Sequence, residues 1–170
     1  RLVQLPARLP PSLEALHLER NALCMLPDGI GRLHRLKTLM LSFNALQLLP
    51  ASIGGLWELE ELDVRNNQLV RIPRQVAGMR KLKQLVLRSN QLRSLPPEIA
   101  MLQRLHMLDL ALNTSELNTT DYNTARESSR SDGASFYDRL QRDGVQAAVQ
   151  SMFGQVTWTH YLHRAAGPHA

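Results

Sequence analysis

The chain has 170 residues, 44% hydrophobic and 21% charged, with a formal net charge of +5. That size and balance suit one folded domain and exclude a wholly disordered chain, a collagen-like chain and a disulfide-stapled miniprotein. No apolar run approaches the roughly 18 residues of a membrane-spanning helix.

The residue types are unevenly distributed. Of 32 leucines, 29 lie in residues 1–113, whereas six of the eight aromatics lie beyond them. Residues 1–113 carry 15 Lys and Arg against 9 Asp and Glu, and the remainder carries 5 against 6. Basic character of this kind raises polyanionic partners, RNA or an acidic protein face. Cys24 is the single cysteine, so no intrachain disulfide forms, which points to a reducing intracellular compartment, cytoplasm or mitochondrial matrix. The chain opens at Arg1 rather than Met, which reads as a processed or partial chain.

In chain order, Leu2-x-x-Leu5-Pro6 comes first and matches Leu23-x-x-Leu26-Pro27. Its turn is two residues shorter, since Leu5 to Leu13 is eight residues and Leu26 to Leu36 is ten. From Leu13 onward a unit recurs every 23 residues, at Leu36, Leu59, Leu82 and Leu105. The asparagines Asn21, Asn44, Asn67, Asn90 and Asn113 fall in register, as do Pro27, Pro50, Pro73 and Pro96. Alternation in Leu16-His17-Leu18 or Leu62-Asp63-Val64 predicts a short strand in each unit with leucine on one face. Strands of successive units stack about 4.8 Å apart into a parallel sheet. Each proline stops the extended run, and segments such as Ile53–Leu59 return as short helices or irregular turns. One unit cannot bury its own leucines, so the stack is stabilised through its interfaces. The strand around Leu16 has no obvious cap, and missing sequence or a partner is expected to cover it.

The repeat Leu-x-x-Leu-x-Leu-x-x-Asn-x-Leu-x-x-Leu-Pro resembles the leucine-rich repeat family in its 23-residue intracellular form. It is most similar to the class found in Ras-pathway scaffolds, plant intracellular Ras-group proteins and many bacterial and protist proteins. The resemblance covers residues 2–113, a partial first repeat, four full repeats and half of a fifth. It implies an α/β leucine-rich repeat solenoid with the sheet on the concave face. It also implies that each asparagine satisfies backbone groups inside its turn. The stretch "LPARLPPSLEAL" is similar to the short repeats of bacterial ubiquitin-ligase effectors.

Beyond the repeats, residues 114–135 are rich in Ser, Thr and Asn and read as a polar linker. Residues 136–170 read as an apolar-aromatic segment and are expected to make a helical appendage. Ser135 precedes Phe136 with Asp138 three residues on, a helix start, and Val145, Val149, Met152 and Val156 share one helical face. This segment reads either as a cap folded onto the last repeat or as a docking arm anchored by Phe136, Phe153, Trp158 and Tyr161.

In the family the outward strand residues line the concave face, where partners bind. In this sequence the candidate contact residues are His17, Glu19, Met40, Ser42, Phe43, Glu61, Asp63, Arg65, Val86, Arg88 and Asp109. Met40 and Phe43 make a small apolar spot, and Arg65 lies beside Arg88 and Asp63. Five strands offer about 15–20 outward residues, slightly fewer than the roughly 20–30 a side of a standard interface. A basic cluster of Arg71, Arg74, Arg80, Lys81, Lys83 and Arg93 is the candidate contact for an RNA phosphate backbone.

Catalysis finds little support in the sequence. Cys24 has no His or Asp at motif spacing. His160-x-x-His163 lacks further ligands, so no metal is expected, and no cofactor motif is present. The expected function is a non-catalytic protein-protein interaction module, an adaptor or scaffold. The alternative is a structural subunit of a large assembly, an organellar ribosome or another ribonucleoprotein. An enzyme reading, as a fragment of a ubiquitin-ligase effector, needs a catalytic domain outside this chain.

Overall fold

The computed structural model describes residues 1–6, 8–114 and Gly144. Five three-residue strands, β1 (Ala15–His17), β2 (Thr38–Met40), β3 (Glu61–Asp63), β4 (Gln84–Val86) and β5 (Met107–Asp109), form one parallel sheet in chain order. Every pairing is offset by one repeat, with Leu16, Leu39, Leu62, Leu85 and Leu108 in register. The ladder runs on past the strands, with Leu41 N–H donating to the Asp63 carbonyl at 2.8 Å and Phe43 N–H to Arg65 at 3.0 Å.

The returning segments are 3-10 helices, Asp28–Arg32, Ala51–Gly55, Arg74–Gly78 and Pro97–Met101. Each follows an extended proline, and the first turn closes on that proline's carbonyl, as in Ile53 N–H to Pro50 O at 3.0 Å. A 3-10 turn needs fewer residues than an α-helical one, which suits a short return. These segments lie close together on the convex side. A Cβ on Gly78 would sit 2.2 Å from the Gly54 carbonyl oxygen, and one on Gly54 would sit 2.3 Å from that of Gln75. Glycine is the one residue that permits this approach of backbone to backbone.

Leucines, isoleucines and valines from both sides fill the space between sheet and return. Leu39, Leu62 and Leu85 are fully enclosed, as are Ile53 and Leu59. The asparagines hold the turns. Asn67 donates to the Leu41 carbonyl of the preceding repeat and the Val64 carbonyl of its own, both at 3.0 Å, and accepts from Leu46 N–H at 3.0 Å. Asn90 repeats this with Val64, Leu87 and Leu69, and Asn44 and Asn113 do the same in their repeats. Buried backbone groups thus find partners that no strand supplies. The residue before each asparagine, namely Arg20, Phe43, Asn66, Ser89 and Leu112, has a left-handed backbone with φ of 52–58°.

The N-terminal end is more closed than its missing strand suggests. Leu2 takes the place of a preceding repeat, accepting from Ala22 N–H at 2.8 Å and donating to Asn21 Oδ1 at 2.8 Å. Leu5, Leu9, Leu13 and Leu16 pack against the core but stay partly exposed. The linker and appendage expected over 114–170 lie outside the described residues, apart from Thr114 and Gly144.

Candidate protein interface

The sheet carries three outward rows and a fourth at the left-handed corner. At that corner Arg20 and Phe43 are neighbours one repeat apart, and the Arg20 guanidinium lies over the Phe43 ring at 5.1 Å from its centroid. A cation over an aromatic face is attracted to the ring's quadrupole. Phe43 remains 43% exposed, so the pair forms an anchor facing solvent. Met40 is half-buried beside it, and His17 Nδ1 meets Glu19 Oε1 at 3.2 Å on the edge strand. Burial pushes the Glu19 carboxyl up, but hydrogen bonds from its own backbone N–H and from His17 outweigh this and hold it low.

Two of the expected contact residues are corrected. Ser42 is buried, because its short side chain lies between the longer Glu19 and Arg65 of the flanking repeats. Asp63 is also buried, and its role is local. Its Oδ1 accepts from Arg65 N–H at 3.0 Å and its Oδ2 lies 3.2 Å from Arg65 Nε. Asp109 makes the same backbone contact with Ala111 N–H at 3.0 Å. Glu61 and Val86 are half-buried, while Arg65 and Arg88 are exposed. Arg65 is held by Asp63, whereas Arg88 has Val86 at the equivalent position and makes no ion pair among the described residues.

The basic cluster is not a single patch. Lys81 pairs with Glu58 and Lys83 with Glu60, each at 2.6 Å, and Lys37 pairs with Glu14 at 2.8 Å. All three lysines of the chain thus face a glutamate one repeat earlier. Hydrogen bonds from Lys37 and Lys83 hold the Glu14 and Glu60 carboxyls below the usual carboxylate range. Arg71 and Arg93 lie in the segments that leave the sheet, and Arg74 opens a 3-10 helix on the convex side. These residues thus lie on several faces, and Lys81 and Lys83 are each paired with a glutamate.

Spacing by one repeat also explains a pair that strand patterns do not reveal. His34 and Trp57 stack with ring centroids 4.4 Å apart and an interplanar angle of 21°. They lie on the flank that descends from the convex side toward the sheet, and Trp57 is 52% exposed. Among the described residues, no group of His, Cys, Asp and Glu could hold a metal ion, and no helix is long and apolar enough to cross a membrane. Cys24 is exposed and free. The docking residues Phe136, Phe153, Trp158 and Tyr161 lie outside the described residues.

Comparison with known proteins agrees with this architecture. The family model described as "Leucine rich repeat" matches residues 11–69 and 58–114, more than half of the chain. The chain belongs to the leucine-rich repeat family. Among solved structures, it is similar to a leucine-rich repeat protein of Leptospira interrogans, with 35% identity and a TM-score of 0.68, covering 74% of this chain and 32% of that one. It is also similar to the leucine-rich repeat domain of the type III effector XopL, with 31% identity and a TM-score of 0.60, covering 68% of this chain and 41% of that one. A third likeness is to the BIR3–SERK2 complex of Arabidopsis thaliana, with 32% identity and a TM-score of 0.52, covering 58% of this chain and 55% of that one. The chain therefore spans about a third of the length of the Leptospira protein. Among curated proteins, none matches it.

Proposed function

We propose that this chain is a non-catalytic interaction module, an adaptor or scaffold in a reducing compartment, that captures a protein partner on its concave face. The observation that carries the reading is the Arg20–Phe43 anchor. It is a large aromatic ring fixed at a strained corner, left 43% exposed beside Met40, with exposed Arg65 and Arg88 two and three strands from β1. Aromatic and arginine side chains dominate binding energy at protein interfaces. The fold class supports the same reading, since leucine-rich repeats generally mediate protein–protein interaction, and a similar structure is of the BIR3–SERK2 complex. The free, exposed Cys24 fits a reducing compartment.

The test compares the proteins retained by the native chain with those retained by a chain carrying Phe43→Ala and Arg88→Glu, which leaves the Asp63–Arg65 pair intact. Loss of about tenfold or more in affinity for the main partner is expected, with an unchanged melting temperature. Retention of the same partner at the same affinity would remove the concave face from its role.

A further inference from the structure

We infer a second binding surface, on the descending flank, that takes an acidic protein segment in which an apolar residue stands between two carboxylates. It is independent of the concave face, and its floor is the His34–Trp57 stack.

The stack is built, not incidental. His34 Nδ1 makes a hydrogen bond of 3.0 Å with the Gly55 carbonyl, which fixes the ring that Trp57 lies against. A large aromatic side chain held in place yet 52% exposed offers apolar contact without the entropy cost of ordering it on binding. Backbone hydrogen bonds join the flank from repeat to repeat, as in Glu60 N–H to Lys37 O and Lys83 N–H to Glu60 O, both at 2.8 Å. Successive repeats are therefore spaced there by about a strand separation, roughly 5 Å.

The charges around the stack select the partner. The lysines of this flank are already neutralised by Glu14, Glu58 and Glu60. Arg35, Arg80 and Arg104 remain, all exposed, and none makes an ion pair among the described residues. Arg35 stands one repeat before Trp57, Arg80 one repeat after it and Arg104 one further. Arginine's planar fork matches carboxylate and phosphate alike. The order of charges separates the two. Along one row the residues are Arg35, Glu58, Lys81 and Arg104, so a neutralised Glu58–Lys81 pair interrupts the unbroken positive row that a continuous phosphate backbone would follow. Discrete carboxylates on Arg35, in that row, and on Arg80, in the row of His34 and Trp57, lie about 10 Å apart to either side of Trp57 with neither placed on Glu58, and about three extended residues span that distance.

A short random-peptide library is selected on the full chain, and the binders are re-measured by fluorescence anisotropy. The expected result is a class of peptides with acidic residues on both sides of an apolar residue. Their Kd rises about tenfold or more in a chain carrying Arg35→Glu, Arg80→Glu and Arg104→Glu, and again in Trp57→Ala, but not in Phe43→Ala. The milder Arg→Gln set at the same exposed positions serves if charge reversal impairs folding. Absence of such a class, or binders indifferent to these arginines, overturns the inference. A short oligouridylate that binds more tightly than the peptides, with the same arginine dependence, overturns it in favour of nucleic acid.

Discussion

Asn67 and Asn21 occupy the same repeat position two repeats apart, yet they are embedded differently. Asn67 is buried and bonds carbonyls in two repeats, Leu41 and Val64, as well as the Leu46 N–H. Asn21 is half-buried, bonds only carbonyls of its own turn, Leu18 and Glu19, and accepts from Leu2 N–H. The motif is identical, but its energetic weight is set by whether a full repeat precedes it. A repeat array is thus not uniform even where its sequence is.

The sharpest way to break this comparison is to truncate both side chains. Asn67→Ala leaves the buried Leu46 N–H without a partner and takes one of two donors from the Leu41 and Val64 carbonyls, which keep Asn44 and Asn90, and is expected to cost about 2–3 kcal/mol. Asn21→Ala, which releases the exposed Leu2 N–H to water while the Leu18 carbonyl keeps Asn44, is expected to cost about 1 kcal/mol. Urea unfolding of the two variants measures the gap, and equal costs would mean that position in the array does not matter.

A smaller effect sharpens the interior side of the comparison. Gly78→Ala places a methyl group 2.2 Å from the Gly54 carbonyl, and the two convex segments must part. The expected destabilisation is about 1–3 kcal/mol. An unchanged urea midpoint would show that the convex spacing yields freely.

The smallest effect concerns the glutamate–lysine pairs. The Glu14 and Glu60 carboxyls are depressed by hydrogen bonds from Lys37 and Lys83. A depressed carboxyl contributes stability fully above its unfolded value, about 4.3 for glutamate, and loses it as pH falls through the folded value. Thermal melts should therefore be insensitive to these pairs from pH 7 to about 5 and should show their loss below about pH 4.3. Glu60→Gln is expected to flatten part of that acid limb. An acid limb identical to the native one would remove the pairs from the explanation.

Much of this was legible because neighbours in space are neighbours at a fixed step in the chain. The 23-residue period placed the strands, the leucine core and the asparagines, and the resemblance supplied the asparagines' role. The concave rows were also legible as rows. Their exposure was not, because it depends on the flanking side chains at Ser42 and, at Asp63, on the bonds its carboxylate makes to Arg65 two residues on. The left-handed backbone at Phe43 and Leu112 runs against residue preference, since such φ values favour Gly and Asn. It is the chain's turn out of the sheet, held by the next residue's asparagine, that sets it. The Lys–Glu pairs and the His34–Trp57 stack obey the same step as the strands. Reading every row at that step, rather than the strand rows alone, would have found them. The closure at Leu2 lay hidden because the first turn is two residues shorter than the rest.

The row Glu14, Lys37, Glu60, Lys83 alternates in sign from repeat to repeat. Along that edge the translational unit is two repeats, although the backbone repeats after one. A recombination event that removed the second or third repeat would keep the strand and asparagine of every remaining repeat, yet would set glutamate beside glutamate or lysine beside lysine at the junction. Removing two would restore the alternation. Like charges placed opposite each other are destabilising, so this edge discriminates between odd and even changes in repeat number that the leucine core does not distinguish.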